Sequence, residues 1–154
     1  VTYLPTSGGV ATAINNSNIV VGTTGMNEAF MYDGAILTLL GVLPGGTYSS
    51  AMDINESSTV VGSSGTATVG HAFVKPFDSA MQDLNDLVSA PGWVLTAALA
   101  VNELGDIVGT GQLNGQTHGF LLMNGNAAPV PLVPAPSPSP SLAPPIPQPP
   151  LPVP

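Results

Sequence analysis

The chain has 154 residues, only 6% of them charged, and its single basic residue, Lys75, leaves a formal net charge of -8. A soluble domain ordinarily carries about a quarter charged residues. So severe a shortage of cations argues against a nucleic-acid partner, against attraction to an anionic membrane surface, and against the arginine clamps that grip phosphate or carboxylate ligands.

Apolar residues make up 44% of the chain, which is surface that demands burial and is not the composition of a disordered segment. With no cysteine, neither a disulfide framework nor a thiolate metal site can hold the core. The longest apolar stretch, which contains Trp93 and is interrupted only by Thr96, ends at Val101; it falls far short of the ~20 residues that span a bilayer, so no membrane insertion is expected. The start at Val1, with no basic-then-apolar leader, is consistent with a mature secreted form.

From the N-terminus, Val1, Thr2, Tyr3, Leu4 and Pro5 stand ahead of Gly8-Gly9 as Leu39-Leu40-Gly41-Val42-Leu43-Pro44 stand ahead of Gly45-Gly46. Residues 1–5 therefore read as the last strand of a preceding unit. One pattern then recurs three times. Ala11-Thr12-Ala13-Ile14-Asn15 leads to Val20-Val21-Gly22 and Glu28-Ala29-Phe30; Ala51-Met52-Asp53-Ile54-Asn55 leads to Val60-Val61-Gly62 and His71-Ala72-Phe73; Ala98-Leu99-Ala100-Val101-Asn102 leads to Ile107-Val108-Gly109 and His118-Gly119-Phe120. The Asn and Gly positions return at spacings of 40 and then 47 residues, so insertions fall between the blocks and read as loops.

Short β-branched runs bounded by Asn, Ser and Gly, with no 3.6-residue period, predict strands throughout and no helix. After each block's Asn comes a tight turn in which Asn18 and Gly105 accept a left-handed backbone, whereas Ser58 at the same place costs on the order of 1 kcal/mol. A fourth strand is expected over 36–40 in the first copy and 81–87 in the second. In the third copy the equivalent segment, 128–132, contains prolines that lack the N–H a ladder requires, so that copy has no fourth strand of its own. The strand at Val1, Thr2, Tyr3 and Leu4 then closes either its own third copy, giving a closed monomer, or a neighbour's, giving a filament.

The spaced blocks Ala-x-x-Ile-Asn, Val-Val-Gly and His-Ala-Phe resemble the HAF-type extracellular repeat, whose naming triplet stands here as His71-Ala72-Phe73. The resemblance covers residues 1–128, with departures at Glu28-Ala29-Phe30 and His118-Gly119-Phe120. It implies bacterial secretion and a β-propeller-like or related architecture, and it implies little chemistry. Three units are fewer than the 4 to 8 blades of ordinary propellers, which favours a three-sided prism or a structure completed by assembly.

Residues 129–154 hold most of the chain's 17 prolines and no charge. Such a segment favours polyproline II and at about 3.1 Å per residue reaches roughly 80 Å. Val130, Leu132, Val133, Leu142, Ile146, Leu151 and Val153 punctuate it as apolar anchors suited to docking on a neighbouring subunit, where a plain stalk needs none.

The search for chemistry finds little. His71 and His118 occupy equivalent positions and read as framework residues. Asp78, Asp83 and Asp86, with Asn85 nearby, lack calcium-loop spacing and read as solvated turn carboxylates. No nucleophile elbow occurs, and only convergence of Asp83, Asp86 and a histidine in one cleft would restore an enzymatic reading. Trp93, in the longest insertion, is a candidate sugar-stacking platform if exposed and a core plug otherwise.

The sequence thus predicts an all-β chain: three tandem four-stranded repeats, β-prism-like or propeller-like, at about 6–44, 45–89 and 90–128 within a domain of 1–128, residues 1–5 as a closing strand, and a polyproline II tail at 129–154. No catalytic, cofactor or metal residues are assigned. The expected role is a secreted, non-enzymatic structural subunit of an extracellular or cell-surface fibre or matrix, whose partners are copies of itself through strand completion, tail docking or both. The alternative is a monomeric surface carbohydrate-binding module on a proline-rich stalk.

Overall fold

The computed structural model describes residues 3–124. Three antiparallel sheets follow one another along the chain. The first contains β1 (Val10–Ile14), β2 (Val20–Thr23), β3 (Ala29–Tyr32) and β4 (Leu37–Gly41), and the second β5 (Tyr48–Ile54), β6 (Val60–Gly65), β7 (Gly70–Lys75) and β8 (Gln82–Asp83). The third has β9 (Trp93–Val101), β10 (Ile107–Leu113) and β11 (Gln116–Leu122), and each sheet is a meander in which sequence neighbours pair. The expected all-β class is observed, with sheets of four, four and three strands.

One expectation fails: residues 81–87 are not a strand throughout. Only Gln82–Asp83 pair with β7, and a single helical turn, α1 (Leu84–Leu87), follows. The Asp83 carboxylate accepts the Asn85 backbone N–H and caps the turn, and Leu84 is buried beneath it. The Asn85 side chain then completes the job of a missing strand. Its Oδ1 accepts from the Leu95 N–H at 2.7 Å and its Nδ2 donates to the Leu95 carbonyl at 2.9 Å, so one amide substitutes for a backbone partner beside β9.

The recurring blocks have physical causes. The turn after each sheet's first strand closes through bonds from Asn18, Ser58 and Gly105 N–H to the carbonyls of Asn15, Asn55 and Asn102. The three donors have φ of 62°, 57° and 83°, so Ser58 does hold the left-handed conformation that suits it least. Gly22, Gly62 and Gly109 pair across the sheet with Phe30, Phe73 and Phe120, whose rings lie over them. A Cβ at Gly62 would run into both the Phe73 ring and the Ser50 carbonyl, which explains why the Gly and Phe recur together. Opposite each glycine the first strand carries a bulge, which leaves Thr12, Met52 and Leu99 as the extra residues.

The core is two apolar slabs between consecutive sheets. Val21, Ala29 and Leu40 of the first sheet pack on Ala51, Ile54, Val60 and Phe73 of the second. Val61, Ala72 and Val74 of the second pack on Leu95, Ala98, Val101 and Ile107 of the third, with Leu84 filling the same slab. Polar bonds run across both slabs in parallel. Asn15 Nδ2 donates to the Asn55 carbonyl at 3.2 Å, and Asn55 Nδ2 donates to the Asn102 carbonyl at 3.1 Å. One residue further on, the Asn16 N–H meets the Glu56 carboxylate and the Glu56 N–H meets the Glu103 carboxylate, at 2.7 and 3.0 Å. Each sheet is thus bolted to the next at the same end of its first strand.

Phe73 is fully buried at the centre of the first slab. Its replacement by Ala is expected to cost about 3 to 5 kcal/mol in urea denaturation, the transfer loss plus a cavity over Gly62; a loss below about 1 kcal/mol contradicts this packing.

Candidate functional site

The third sheet differs from the others at its outer edge. A tight turn with positive φ at Asn114 and Gly115 joins β10 to β11, a pairing suited to two-residue hairpins. In the first two sheets a fourth strand covers the third, β4 on β3 and β8 on β7. Among the described residues nothing pairs with the outer edge of β11, from Gln116 to Leu122.

Of the residues expected to supply such a strand, Tyr3 and Leu4 form no ladder within the chain, and Tyr3 is 92% exposed. Val1 and Thr2 lie outside the described residues, as do the anchors Val130, Leu132, Val133, Leu142, Ile146, Leu151 and Val153.

Trp93 is half-buried at the start of β9 and packs against the second slab, with its ring edge-on to His118 at a centroid distance of 6.0 Å. Part of its indole thus contributes to the core. His118 and His71 accordingly have different partners.

His71 lies with Asp83 and Asp86 in an open cleft of roughly 220 Å³, whose other walls include Gly45, Gly46 and Thr66. The convergence that sequence reasoning set as its test for chemistry is therefore present. His71 Nδ1 meets Asp83 Oδ2 at 2.5 Å, while Asp83 Oδ1 accepts from both the backbone and the side chain of Asn85. Both Asp83 oxygens are thereby engaged in joining β7, β8 and α1. Asp86 is exposed and carries the one carboxylate in the cleft without such ties. Thr66 Oγ1 accepts the Val69 N–H at 3.2 Å and lies 3.4 Å from Thr68 Oγ1. Among the described residues, no three His, Asp or Glu side chains are grouped as a metal ion needs.

Sequence reasoning missed Asn85, which clamps Leu95, and the Glu56 and Glu103 carboxylates, which receive backbone N–H groups from the preceding sheet. The signal for the glutamates was the Asn-Glu dipeptide shared by the second and third blocks.

Partial burial opposes ionisation of Asp83, but the bond to His71 and those from Asn85 outweigh it and hold the carboxyl below the usual carboxylate range. A carboxyl with a lower pKa folded than unfolded contributes stability above the unfolded value, and that contribution is lost as pH falls through the folded value. Asp83→Ala is expected to cost about 1 kcal/mol near neutral pH through the lost cap. The gap between parent and variant in urea denaturation should shrink below about pH 4; a gap independent of pH contradicts the assignment.

No protein-family model matches the chain, and neither curated proteins nor solved structures contain a match to it.

Proposed function

We propose that the chain is a structural subunit of an extracellular fibre or matrix, built from tandem HAF-type repeats in a propeller-like or prism-like array and joined to copies of itself. The observation that carries the reading is the outer edge of β11, which among the described residues lacks the fourth strand that β4 and β8 supply elsewhere. A row of backbone N–H and C=O groups is a template for an incoming strand, and the segment around Tyr3 and Leu4 of a neighbouring chain has the apolar character to fill it. The small number of charged side chains supports self-association through a low desolvation cost, and the net charge of -8 opposes it by repulsion between copies that salt screens. The proline-rich segment 129–154 offers a second route, docking its apolar anchors on a neighbour with less ordering entropy than a flexible segment loses.

The cleft of His71, Asp83 and Asp86 favours one second reading, a surface module that hydrogen-bonds carbohydrate hydroxyls. It requires no assembly. Asp86, exposed in the cleft and without such ties, is the carboxylate placed to accept sugar hydroxyls, and the chain is read as non-enzymatic.

Electron microscopy with light scattering on the full chain, beside one lacking residues 1–5, tests the leading reading. Filaments or large oligomers that are lost on removal of residues 1–5 are the expected result. Assembly that survives shows that strand addition is not the joint, and monodisperse monomers in both samples leave the carbohydrate-binding module as the function.

A further inference from the structure

The two ends of the sheet stack expose several side chains at positions that its interior buries. In the two internal junctions, the earlier sheet contributes Val21, Ala29 and Met31, then Val61, Ala72 and Val74. The equivalent positions in the third sheet are Val108, Gly119 and Leu121, and all three are exposed, the Val and Leu by 44% and 45%. The later sheet contributes Ala51, Ile54 and Val60, then Ala98, Val101 and Ile107, every one buried. Their counterparts in the first sheet are Ala11 and Ile14, both exposed, the latter by 61%, and the half-buried Val20. One end is therefore the donor half of a junction and the other end is its acceptor half.

The polar bolts stop at the same places. The Asn102 side chain, with no following carbonyl to reach, turns to Asp106 of its own turn at 2.9 Å. The Asn15 carbonyl accepts the Asn18 N–H but lacks the side-chain amide that Asn55 and Asn102 carbonyls receive from the sheet before. Where Glu56 and Glu103 offer carboxylates to the preceding sheet, the first block has Asn16. A junction formed there keeps the apolar fit and the amide bridge but has a shorter, neutral acceptor.

We infer that the third sheet of one chain stacks face-on against the first sheet of a second copy, repeating between chains the junction already made twice within one. The occupant is a second copy because its acceptor face exposes Ala11 and Ile14 at the positions that the donor faces pack on inside the chain, whereas Phe30, the counterpart of Phe73, is already buried. Such a contact is heterologous, so it closes a ring or extends a filament according to the rotation between sheets. The inference deepens the assembly reading and rests on it: the joint lies on the sheet faces of the same pair of chains that strand addition at β11 would link, since residues 1–5 directly precede the first sheet.

Sedimentation velocity on the full 154-residue chain across a wide concentration range tests it, using Val108→Asp, Ile14→Asp and their equimolar mixture. Both positions are exposed at the ends, so the variants keep the fold, checked by circular dichroism. Each variant alone should lose association by about 100-fold or more, because a carboxylate enters an apolar junction. The mixture should form a dimer and nothing larger, since one intact donor face and one intact acceptor face remain. Asn16→Glu should tighten association about tenfold by restoring a charge-assisted bond. If both aspartate variants assemble like the parent, the face-on joint is wrong while assembly by strand or tail stands. A parent that stays monomeric at every concentration, as when its own segment 125–154 covers a face, overturns the inference and the assembly reading together. Folded variants whose mixture stays monomeric overturn the face-on joint alone.

Discussion

The stack depends on a side-chain amide that serves two sheets at once. Asn55 is only 4% exposed; its Oδ1 accepts the Thr59 N–H and fixes the turn of its own sheet, while its Nδ2 reaches the Asn102 carbonyl of the next. Its own carbonyl receives Asn15 Nδ2 from the sheet before. A buried amide must find partners for both ends, and here each end does structural work in a different sheet. Aspartate lacks the donor for the outward bond, and an apolar residue lacks both, which accounts for asparagine at 15 and 55.

Around that bolt the sheets fit by small residues and glycine. The Val-Val-Gly strand sets Gly62 beneath Phe73, which makes room for the ring in the slab facing the first sheet. Alanines at 29, 51, 72 and 98 are fully buried in the same slabs and let backbones approach. Polar groups at the junctions are neutral or are carboxylates that accept backbone N–H groups, as Glu56 and Glu103 do, so no arginine or lysine is needed to balance them. No buried side-chain nitrogen or oxygen among the described residues lacks a partner. The low charge of the chain is thus compatible with a fully bonded interior, and it leaves the ends of the stack apolar.

How much of this was legible follows from the range of each interaction. Strands, turns and the strained Ser58 could be read because they depend on residues within a few positions of one another. The Gly–Phe recurrence was visible, but its cause needed the cross-strand register that pairs Gly62 with Phe73. The turn at Leu84–Leu87 was missed because Asp83 and Asn85 look like ordinary loop residues until Leu95, ten positions away, supplies the backbone that Asn85 clamps. The cleft was anticipated only as a condition: Asp83 and Asp86 are local, whereas His71 joins them through the pairing of β7 with β8. The unequal exposure of Val21, Val61 and Val108 was beyond the sequence, since the three are alike in every local respect and differ only in what stands in front of them.

Bridging by asparagine is tested most directly by comparing Asn55→Ala with Asn102→Ala in urea denaturation. The two residues hold equivalent turns, but only Asn55 reaches across a junction, because Asn102 Nδ2 bonds to Asp106 in its own exposed turn. Loss of about 2 to 3 kcal/mol for Asn55→Ala against about 1 kcal/mol or less for Asn102→Ala is expected, since the former strips partners from buried groups in two sheets. Equal losses, or a larger one at Asn102, would show that the asparagines hold turns alone and that the sheets are joined by apolar packing without them.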